Sequence, residues 1–324
     1  MMPSRIAAFC LCIASALPSI MWSQATDAEY KATISRARQT HEDSVKQPDG
    51  FLTLVALHQL PEGKTTVGSG SEADVHLDHG PKSAVILARQ GNSVTITPGE
   101  VSVSGPGGPL AGPTPVKINN NVDDALHWDT FSLQVLPRGD RLYVRIRDTE
   151  APTLKAFTHL NFYPIDQHYR IQARWVPYRT PHDLVIPNEV GQEKKEPSPG
   201  YAEFRLQGRR VRLAGLDNGD GRVWILFRDR TSNVLSYGGG RNFAVPAPSN
   251  GLNRPGTITL DFNQAYNFPC AYTAFGTCPL PPAENIIDVS IPAGEQRYHT
   301  DYFSVRLQVC NGIQILEAKI GGNS

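Results

Sequence analysis

The segment FSLQVLPRGDRLYVRIRD, residues 131–148, carries the strand pattern that decides the fold of this 324-residue chain. Its two runs, FSLQVL and RLYVRIRD, are rich in apolar and β-branched side chains, and Arg138-Gly139-Asp140 separates them. Gly139 can adopt the positive φ that a tight turn requires. The segment therefore predicts two antiparallel strands joined by a hairpin turn. An integrin-binding role for the Arg-Gly-Asp tripeptide is the alternative interpretation.

Similar short runs extend in both directions from this hairpin. They are separated by Gly, Pro, Asn and Asp, and include LTLVAL, SAVILA, SVTITP and PVKIN before it and AEFRLQG, RRVRLAG and VWILFRD after it. Such spacing is typical of sandwiches and barrels. We predict an all-β, mainly antiparallel fold with two β-rich units of sandwich or barrel type and a short N-terminal helix over Asp27–Lys46. The polar segment VGQEKKEPSPGY, residues 190–201, is predicted to be a solvated loop.

These patterns divide the chain into five predicted parts. They are a signal peptide (residues 1–25), an N-terminal helix and lead-in (26–50), a first β unit (51–152), a second β unit (153–300) and a C-terminal tail (301–324). The first unit faintly resembles a forkhead-associated sandwich. Phosphopeptide binding is not expected, because the Val67-Gly68-Ser69 turn lacks the Arg and Ser83 is not followed by the His that such binding uses.

The N-terminal residues have the organisation of a secretory signal peptide. Arg5 precedes the apolar run IAAFCLCIASALPSI, and Ser23-Gln24-Ala25 follows it as a small-x-small cleavage site. We predict cleavage after Ala25, export to the periplasm or the extracellular space, and no stable membrane insertion afterwards. An uncleaved membrane anchor is the alternative.

The charge balance argues against a nucleic-acid partner. Removing residues 1–25 takes away one Arg and no acidic residue, so the 31 Lys and Arg fall to 30 against 31 Asp and Glu. Non-specific binding to nucleic acid or anionic lipid needs an excess of basic residues. No dinucleotide fingerprint, G-x-S-x-G or H-E-x-x-H sequence occurs in the chain, and no cofactor is predicted.

Three cysteines remain after signal cleavage. In an exported protein, the eight-residue separation of Cys270 and Cys278 predicts a local disulfide. A loop of this length is expected to stabilise the fold by about 2 to 3 kcal/mol. Cys310 is then a buried thiol or an intermolecular partner, and no metal site is predicted, because a zinc site needs four clustered ligands.

A glycine-rich turn is the first candidate binding site. Tyr237 precedes Gly238, Gly239, Gly240 and Arg241. Exposed glycine N–H groups beside a guanidinium can hold a carboxylate or phosphate, because Arg gives planar bidentate bonds. The alternative is a glycine bulge in which Arg241 pairs with an internal acid, either Asp229 or Asp261. Both interpretations are open at this point.

The segment DFNQAYNFPCAYTAFGTCPLPPAEN, residues 261–285, is the second candidate. Asp261 and Asn263 are predicted to project from one face of a strand that ends near Ala265, where they either orient a ligand or brace the loop through backbone hydrogen bonds. Tyr266 and its aromatic neighbours would wall a pocket or pack the loop. The four prolines of the segment keep it rigid.

Several of these segments resemble domain-of-unknown-function family 1684 of bacteria and archaea. The resemblance is carried by PDGFLTLVALHQL, RGDRLYVRIRD, FYPIDQHYRIQARW, FRDRTSNVLSYGGGR, residues 261–285 and IPAGE. Departures include Asn267-Phe268-Pro269 in place of the commoner Asn-Pro-Pro. The resemblance implies no activity and no catalytic residue.

The sequence therefore favours an exported protein that binds a small anionic ligand where the GGGR and DFNQAYN segments meet. Tyr237, Gly238, Gly239, Gly240, Arg241, Asp261, Asn263 and Tyr266 are its expected ligand-binding residues. One alternative is an envelope hydrolase that uses Asp229 or Asp261 as an acid or base in the same site, and another is a structural envelope protein without a ligand. Catalytic residues are not assigned.

Overall fold

The hairpin at residues 131–148 forms as predicted in the computed structural model of the protein. The structure describes residues 26–189 and 191–298 and the backbone of two further strands, 305–310 and 313–318. The predicted signal peptide lies outside the described residues, and so does the side chain of Cys310.

Two helices are present in the described part of the chain. Helix α1 spans Asp27–Val45 and α2 spans Pro152–Lys155. A capping box starts α1, because Thr26 Oγ1 accepts from the backbone N–H of Glu29 and the Glu29 carboxylate accepts from the N–H of Thr26. Among the described residues, no helix is long and apolar enough to cross a membrane.

Eleven strands form the first unit. They are β1 Leu54–Gln59, β2 Gly63–Gly68, β3 Val75–His76, β4 Val85–Gln90, β5 Ser93–Pro98, β6 Ser104–Gly105, β7 Gly108–Pro109, β8 Thr114–Pro115, β9 Leu126–Trp128, β10 Phe131–Arg138 and β11 Arg141–Asp148. One sheet has the order β1-β11-β10-β9-β6-β7 and the other β3-β2-β4-β5-β8. Gly139, with φ 59°, makes the turn between β10 and β11.

The two sheets of the first unit pack face to face as a sandwich. Alternate residues of each strand enter a shared core, for example Leu87 and Ile96 from one sheet and Leu133, Val144 and Ile146 from the other. The opposite face of β10 and β11 is turned away from this core.

Seven strands form the sheet of the second unit. They are β12 Arg170–Pro187, β13 Glu193–Leu206, β14 Arg209–Asp217, β15 Arg222–Phe227, β16 Arg241–Pro246, β17 Gly256–Asp261 and β18 Tyr266–Asn267, in the order β17-β12-β13-β14-β15-β16-β18. Trp175, Phe243 and Leu260 lie in the core on one face of this sheet, while Leu184 and Phe268 lie in a smaller cluster. A separate hairpin pairs β19 Val305–Cys310 with β20 Ile313–Ala318.

The all-β, mainly antiparallel fold is therefore confirmed, and the sheets of the described residues do not close into a barrel. The prediction for residues 190–201 is wrong in part, because Glu193–Leu206 is a strand. Residues 193–198 pair with β12 alone, whereas β14 pairs only from Gly200 onward. Pro197 and Pro199 are tolerated there, since a strand with one free side can accommodate residues that lack an N–H.

Candidate functional site

Arg241, the first residue of β16, lies in the core of the second unit with none of its surface exposed. Its Nη2 donates to Asp229 Oδ1 at 3.1 Å, Ile291 O at 2.9 Å and Thr231 Oγ1 at 3.2 Å. Its Nη1 donates to Ala293 O. The guanidinium is thus directed into the protein and bound by groups of the protein itself.

Asp229 completes this buried ion pair. Its carboxylate also accepts from Thr231 Oγ1 at 2.8 Å and from the N–H of Ile291 at 2.6 Å. The structure differs here from the predicted anion cradle and has the alternative arrangement, in which Arg241 pairs with Asp229. The physical reason is that a buried guanidinium requires a charged partner and further acceptors, and residues 291–293 bring those acceptors within reach.

The three glycines allow close packing against their own chain. A Cβ on Gly238 would lie 1.8 Å from Asn233 Oδ1, and one on Gly240, which has φ +93°, would lie 2.6 Å from Phe227 O. A Cβ on Gly239 would lie 2.4 Å from Tyr237 Cε1. The close backbone approach expected from this sequence therefore occurs within the protein.

Asp261 and Asn263 meet the N-terminal helix. Residues Phe262–Gln264 form a 3-10 turn, so the two side chains do not alternate along a strand as predicted. They still converge, because Tyr30 Oη donates to Asp261 Oδ1 at 3.0 Å and accepts from Asn263 Nδ2 at 2.9 Å. Asn263 Nδ2 also donates to Asp166 O at 2.8 Å. These contacts correspond to the bracing interpretation.

Tyr266 lies beside a second contact of the same helix. Its ring centroid is 4.7 Å from that of His41, whose Nε2 lies 3.2 Å from Glu295 Oε2. The buried Glu295 carboxylate accepts from Asn267 N at 2.9 Å and Tyr272 Oη at 2.6 Å. Burial and this carboxylate raise the pKa of Tyr272 well above its ordinary value. Glu295 thereby links α1 to the second unit.

Tyr237, the first of the expected ligand-binding residues, lies outside both networks. Its Oη donates to Glu189 Oε1 at 3.1 Å, and burial together with this carboxylate raises its pKa. The structure therefore does not bring Tyr237, Arg241 and Asp261 around one exposed site. Arg241 and Asp261 instead belong to two separate buried networks on the described part of the chain.

Cys270 and Cys278 form the predicted disulfide, with Cα atoms 6.2 Å apart. The loop that it closes contains Thr277, whose Oγ1 lies 2.8 Å from Nε of Arg138. Arg138 is the last residue of β10, so this contact joins the disulfide loop to the outer face of the first unit.

Of the four arginines on that outer face, three are here called the arginine cluster: Arg138, Arg145 and Arg147. The fourth, Arg141, is exposed at the hairpin end and lies 3.9 Å from Asp140. Arg145 and Arg147 are two residues apart on β11, and Gln134, the cross-strand partner of Arg145, is four residues before Arg138 on β10. Because side chains alternate along a strand, all three share the face opposite the Leu133 core. Sequence reasoning missed this cluster, although its signal, arginines at alternate positions in RLYVRIRD, was visible.

The cluster holds positive charge without a matching carboxylate. Arg147 is 5% exposed and donates to the neutral Gln134 Oε1, while Arg138 Nη1 donates to Asn120 Oδ1 at 2.7 Å. The guanidinium of Arg145 donates no hydrogen bond to any described residue, and its Nε is buried. No member forms an ion pair within 4.0 Å with a described side chain, although the charge of Asp49 acts on Arg147 from farther away.

The pKa of Arg145 reflects the free-energy cost of placing its charge in the cluster. Burial and, after it, the charges of Arg147 and Arg138 lower the pKa of Arg145 to about 9. A guanidinium keeps its proton at neutral pH, so the lowered pKa measures how unfavourable its charge is in this position. A nearby anion would lower that cost, because an opposite charge favours the charged form of the guanidinium.

The family match to this chain lies in the second unit. No curated protein sequence matches the chain. The family described as "Protein of unknown function (DUF1684)" matches residues 155–296. An uncharacterised protein of Haloarcula marismortui, whose structure was solved by solution NMR, is 30% identical over 44% of this chain and 78% of its own, with a TM-score of 0.37. The chain belongs to the DUF1684 family of proteins of unknown function.

Proposed function

We propose that this protein is an exported binding protein for a small anionic ligand and that the arginine cluster holds the anion. The observation that carries the proposal is the placement of three arginines on one face of β10 and β11, none of them in ion-pair contact with a carboxylate of the described residues. A charge withdrawn from water is costly unless it is paired, and here the described residues supply only neutral acceptors.

The chemistry of the guanidinium indicates the class of ligand. Arg presents a planar fork of N–H donors that matches carboxylate and phosphate oxygens. The Nη donors of Arg145 form no hydrogen bond with a described residue, although its Nε is buried. Arg147 and Arg138 each retain donors beyond those bound to Gln134, Asn120 and Thr277. The ligand class is therefore a small carboxylate or phosphate compound.

The hydrolase alternative receives less support from the geometry. Asp229 is 7% exposed and Asp261 is 5% exposed, and each carboxylate is held by several donors. A general acid or base needs access to the proton that it transfers. Both carboxylates instead have the surroundings of structural groups.

Anion binding is tested by calorimetric titration of the mature protein with inorganic phosphate and with citrate, at low and constant ionic strength. We expect binding to the unaltered protein and at least a roughly tenfold weaker affinity in Arg145→Gln, because one charge-assisted contact is worth about 1.5 kcal/mol or more. Arg209→Gln is the matched control, since Arg209 is an exposed arginine that already pairs with Asp288.

Equal affinity of phosphate and citrate for the unaltered protein and for Arg145→Gln would contradict the proposal, as would the absence of heat with both anions. Thermal unfolding gives an independent measure, because a ligand stabilises the folded state according to its affinity. The stabilising effect of citrate is expected to shrink in Arg145→Gln and to persist in Arg209→Gln.

Export is the second part of the proposal. It is supported by the composition of residues 1–25 and by the Cys270–Cys278 disulfide, since disulfides persist in oxidising compartments. Expression of the full chain in a bacterium, followed by fractionation and N-terminal sequencing, is expected to give a periplasmic or secreted protein that begins at Thr26. A cytoplasmic protein that retains Arg5 would contradict this part and leave the anion site untouched.

A further inference from the structure

A cavity of about 540 Å³ opens on the first unit, at a distance in the sequence from every residue predicted to bind a ligand. Val55, Leu77, Phe131 and Pro152 form apolar walls, and His79 and Asp148 form a polar part. The lining also includes His76, Asp78, Glu150, Lys155 and Ala156. A cavity of this size with a few convergent polar groups has the character of a small-molecule site.

His79 and Asp148 form a hydrogen-bonded pair in that cavity. His79 Nε2 lies 2.7 Å from Asp148 Oδ2. The Asp148 side chain is 2% exposed, whereas the His79 side chain is 45% exposed. An ionised carboxylate only accepts hydrogen bonds, so Nε2 carries the proton and Nδ1 of the neutral ring keeps its lone pair. Nδ1 has no hydrogen-bond partner among the described residues.

The surroundings fix both members of the pair. Asp148 ends β11, and its Oδ1 accepts from the N–H of Glu150 at 2.8 Å, which leaves Oδ2 for the histidine. The ring of His79 lies against Phe131, with the centroids 4.8 Å apart. A buried carboxylate that orients a partly exposed imidazole is the arrangement in which histidine acts as a general base.

The geometry points to a hydrolytic site in this cavity, in which His79 activates water against a small carboxylic ester with an apolar acyl group. His79 would be the catalytic residue and Asp148 the positioning residue. The apolar walls would accept an uncharged acyl chain. Lys155 already pairs with Glu150, and Asp78 is acidic, so the charged residues of the lining would disfavour an anionic chain. The site is separate from the arginine cluster, so neither proposal depends on the other.

The reaction needs only water as its second reactant. His79 Nδ1 takes a proton from water while the water oxygen forms a bond to the ester carbonyl carbon. The tetrahedral intermediate then loses the alkoxide by cleavage of the C–O bond. The imidazolium returns the proton to that alkoxide, so that acid and alcohol are released and His79 is neutral again.

The test is hydrolysis of p-nitrophenyl acetate, butyrate and hexanoate by the mature protein. We expect saturable hydrolysis that is slower in deuterium oxide, because water loses its proton in the rate-limiting step. His79→Gln should lower kcat/KM by at least about 100-fold, the usual contribution of a general base. Free imidazole should partly restore the rate of His79→Ala by occupying the space that the side chain leaves.

Asp148→Asn separates positioning from a structural role. The variant should lower kcat and leave KM nearly unchanged, because the amide can still contact the ring without holding its productive tautomer. His159→Gln is the control for the loss of an exposed histidine outside the cavity. Thermal unfolding should show that His79→Gln remains folded. Hydrolysis that equals the buffer rate, or a His79→Gln variant as active as the unaltered protein, would overturn the inference.

Discussion

Arg241 is fully buried and Arg145 is partly buried, and the surroundings of their charges are opposite. Arg241 has a carboxylate, two backbone carbonyls and a hydroxyl as acceptors. Arg145 has no hydrogen-bonded partner among the described residues and two arginines as electrostatic neighbours. An arginine in a glycine-rich turn is therefore not by itself a ligand site, because the acceptors that the fold supplies decide whether its charge is still available.

The largest loss of stability should follow from breaking the ion pair of Arg241 and Asp229. Asp229→Asn leaves the Arg241 guanidinium buried without a counter-charge, and loss of one partner of a buried pair costs about 3 to 5 kcal/mol. Urea unfolding at pH 7 measures the loss. Asp288→Asn, which removes the exposed partner of Arg209 and Arg230, is the control and should change the midpoint little. Similar midpoints for both variants would show that Arg241 does not depend on Asp229.

The disulfide loop contacts one of the two regions, the arginine cluster. Replacing Cys270 and Cys278 together by Ser should lower the free energy of unfolding by about 2 to 3 kcal/mol, because the unfolded chain gains conformational freedom. It should also weaken citrate binding, since Thr277 in the same loop holds Arg138. Unchanged citrate affinity in a folded double variant would separate the loop from the arginine cluster.

Tyr30 tests the bracing of Asp261 and Asn263. Tyr30→Phe removes the hydroxyl that bonds both side chains, and a loss of about 1.5 to 3 kcal/mol is expected for a hydrogen bond to a charged group. Thr33→Ala, on the exposed side of the same helix, is the control. A Tyr30→Phe protein as stable as the control would argue that α1 is held by other contacts alone.

The same tyrosine predicts a pH dependence. Burial and the charge of Asp261 raise the pKa of Tyr30 above its ordinary value of 10.0. The folded state thus favours the neutral phenol, so this contribution to stability is complete below pH 10 and is lost as the pH rises further. Unfolding midpoints between pH 8 and pH 11 should fall more steeply for the unaltered protein than for Tyr30→Phe.

The smallest expected effect is a gain in stability. Arg145→Met removes an unpaired charge from a partly buried position, and such replacements are expected to stabilise by about 1 kcal/mol. Urea unfolding without added anions should therefore show a higher midpoint. Arg241→Met, in contrast, should unfold more readily, because it leaves Asp229 unpaired. A destabilised Arg145→Met protein would mean that Arg145 has a favourable environment after all.

The strands were predictable where the pattern is local. The 131–148 hairpin needs only alternation and Gly139, and α1 needs only its helical composition and cap. Residues 193–199 were not predictable as a strand, because Pro197 and Pro199 are acceptable only where one neighbouring strand is missing. Whether a neighbouring strand is missing depends on the order of the strands in the sheet, which the local sequence does not show.

The candidate site was harder to predict from the sequence, because its contacts also join residues that lie far apart in the chain. From the sequence, Asp229 was one of two candidate partners of Arg241. The sequence could not decide whether Arg241 forms an ion pair with an internal acid or binds a ligand. The choice depends on carbonyls near residue 291, fifty positions away. The arginine cluster and the His79–Asp148 pair each join residues of the first unit that touch only after the strands pair or the sandwich closes.

The attachment of α1 has a consequence for the order of events during synthesis. His41 meets Glu295, 254 residues later in the chain. At about 5 to 20 residues per second, the helix is complete roughly 10 to 50 seconds before its partner has been made. Asp261, which Tyr30 binds, and Tyr272 and Tyr298, which lie in the same apolar cluster as Val45, are likewise made more than two hundred residues after the helix residues that they contact. The first-made helix is thus among the last parts of the molecule to reach its place.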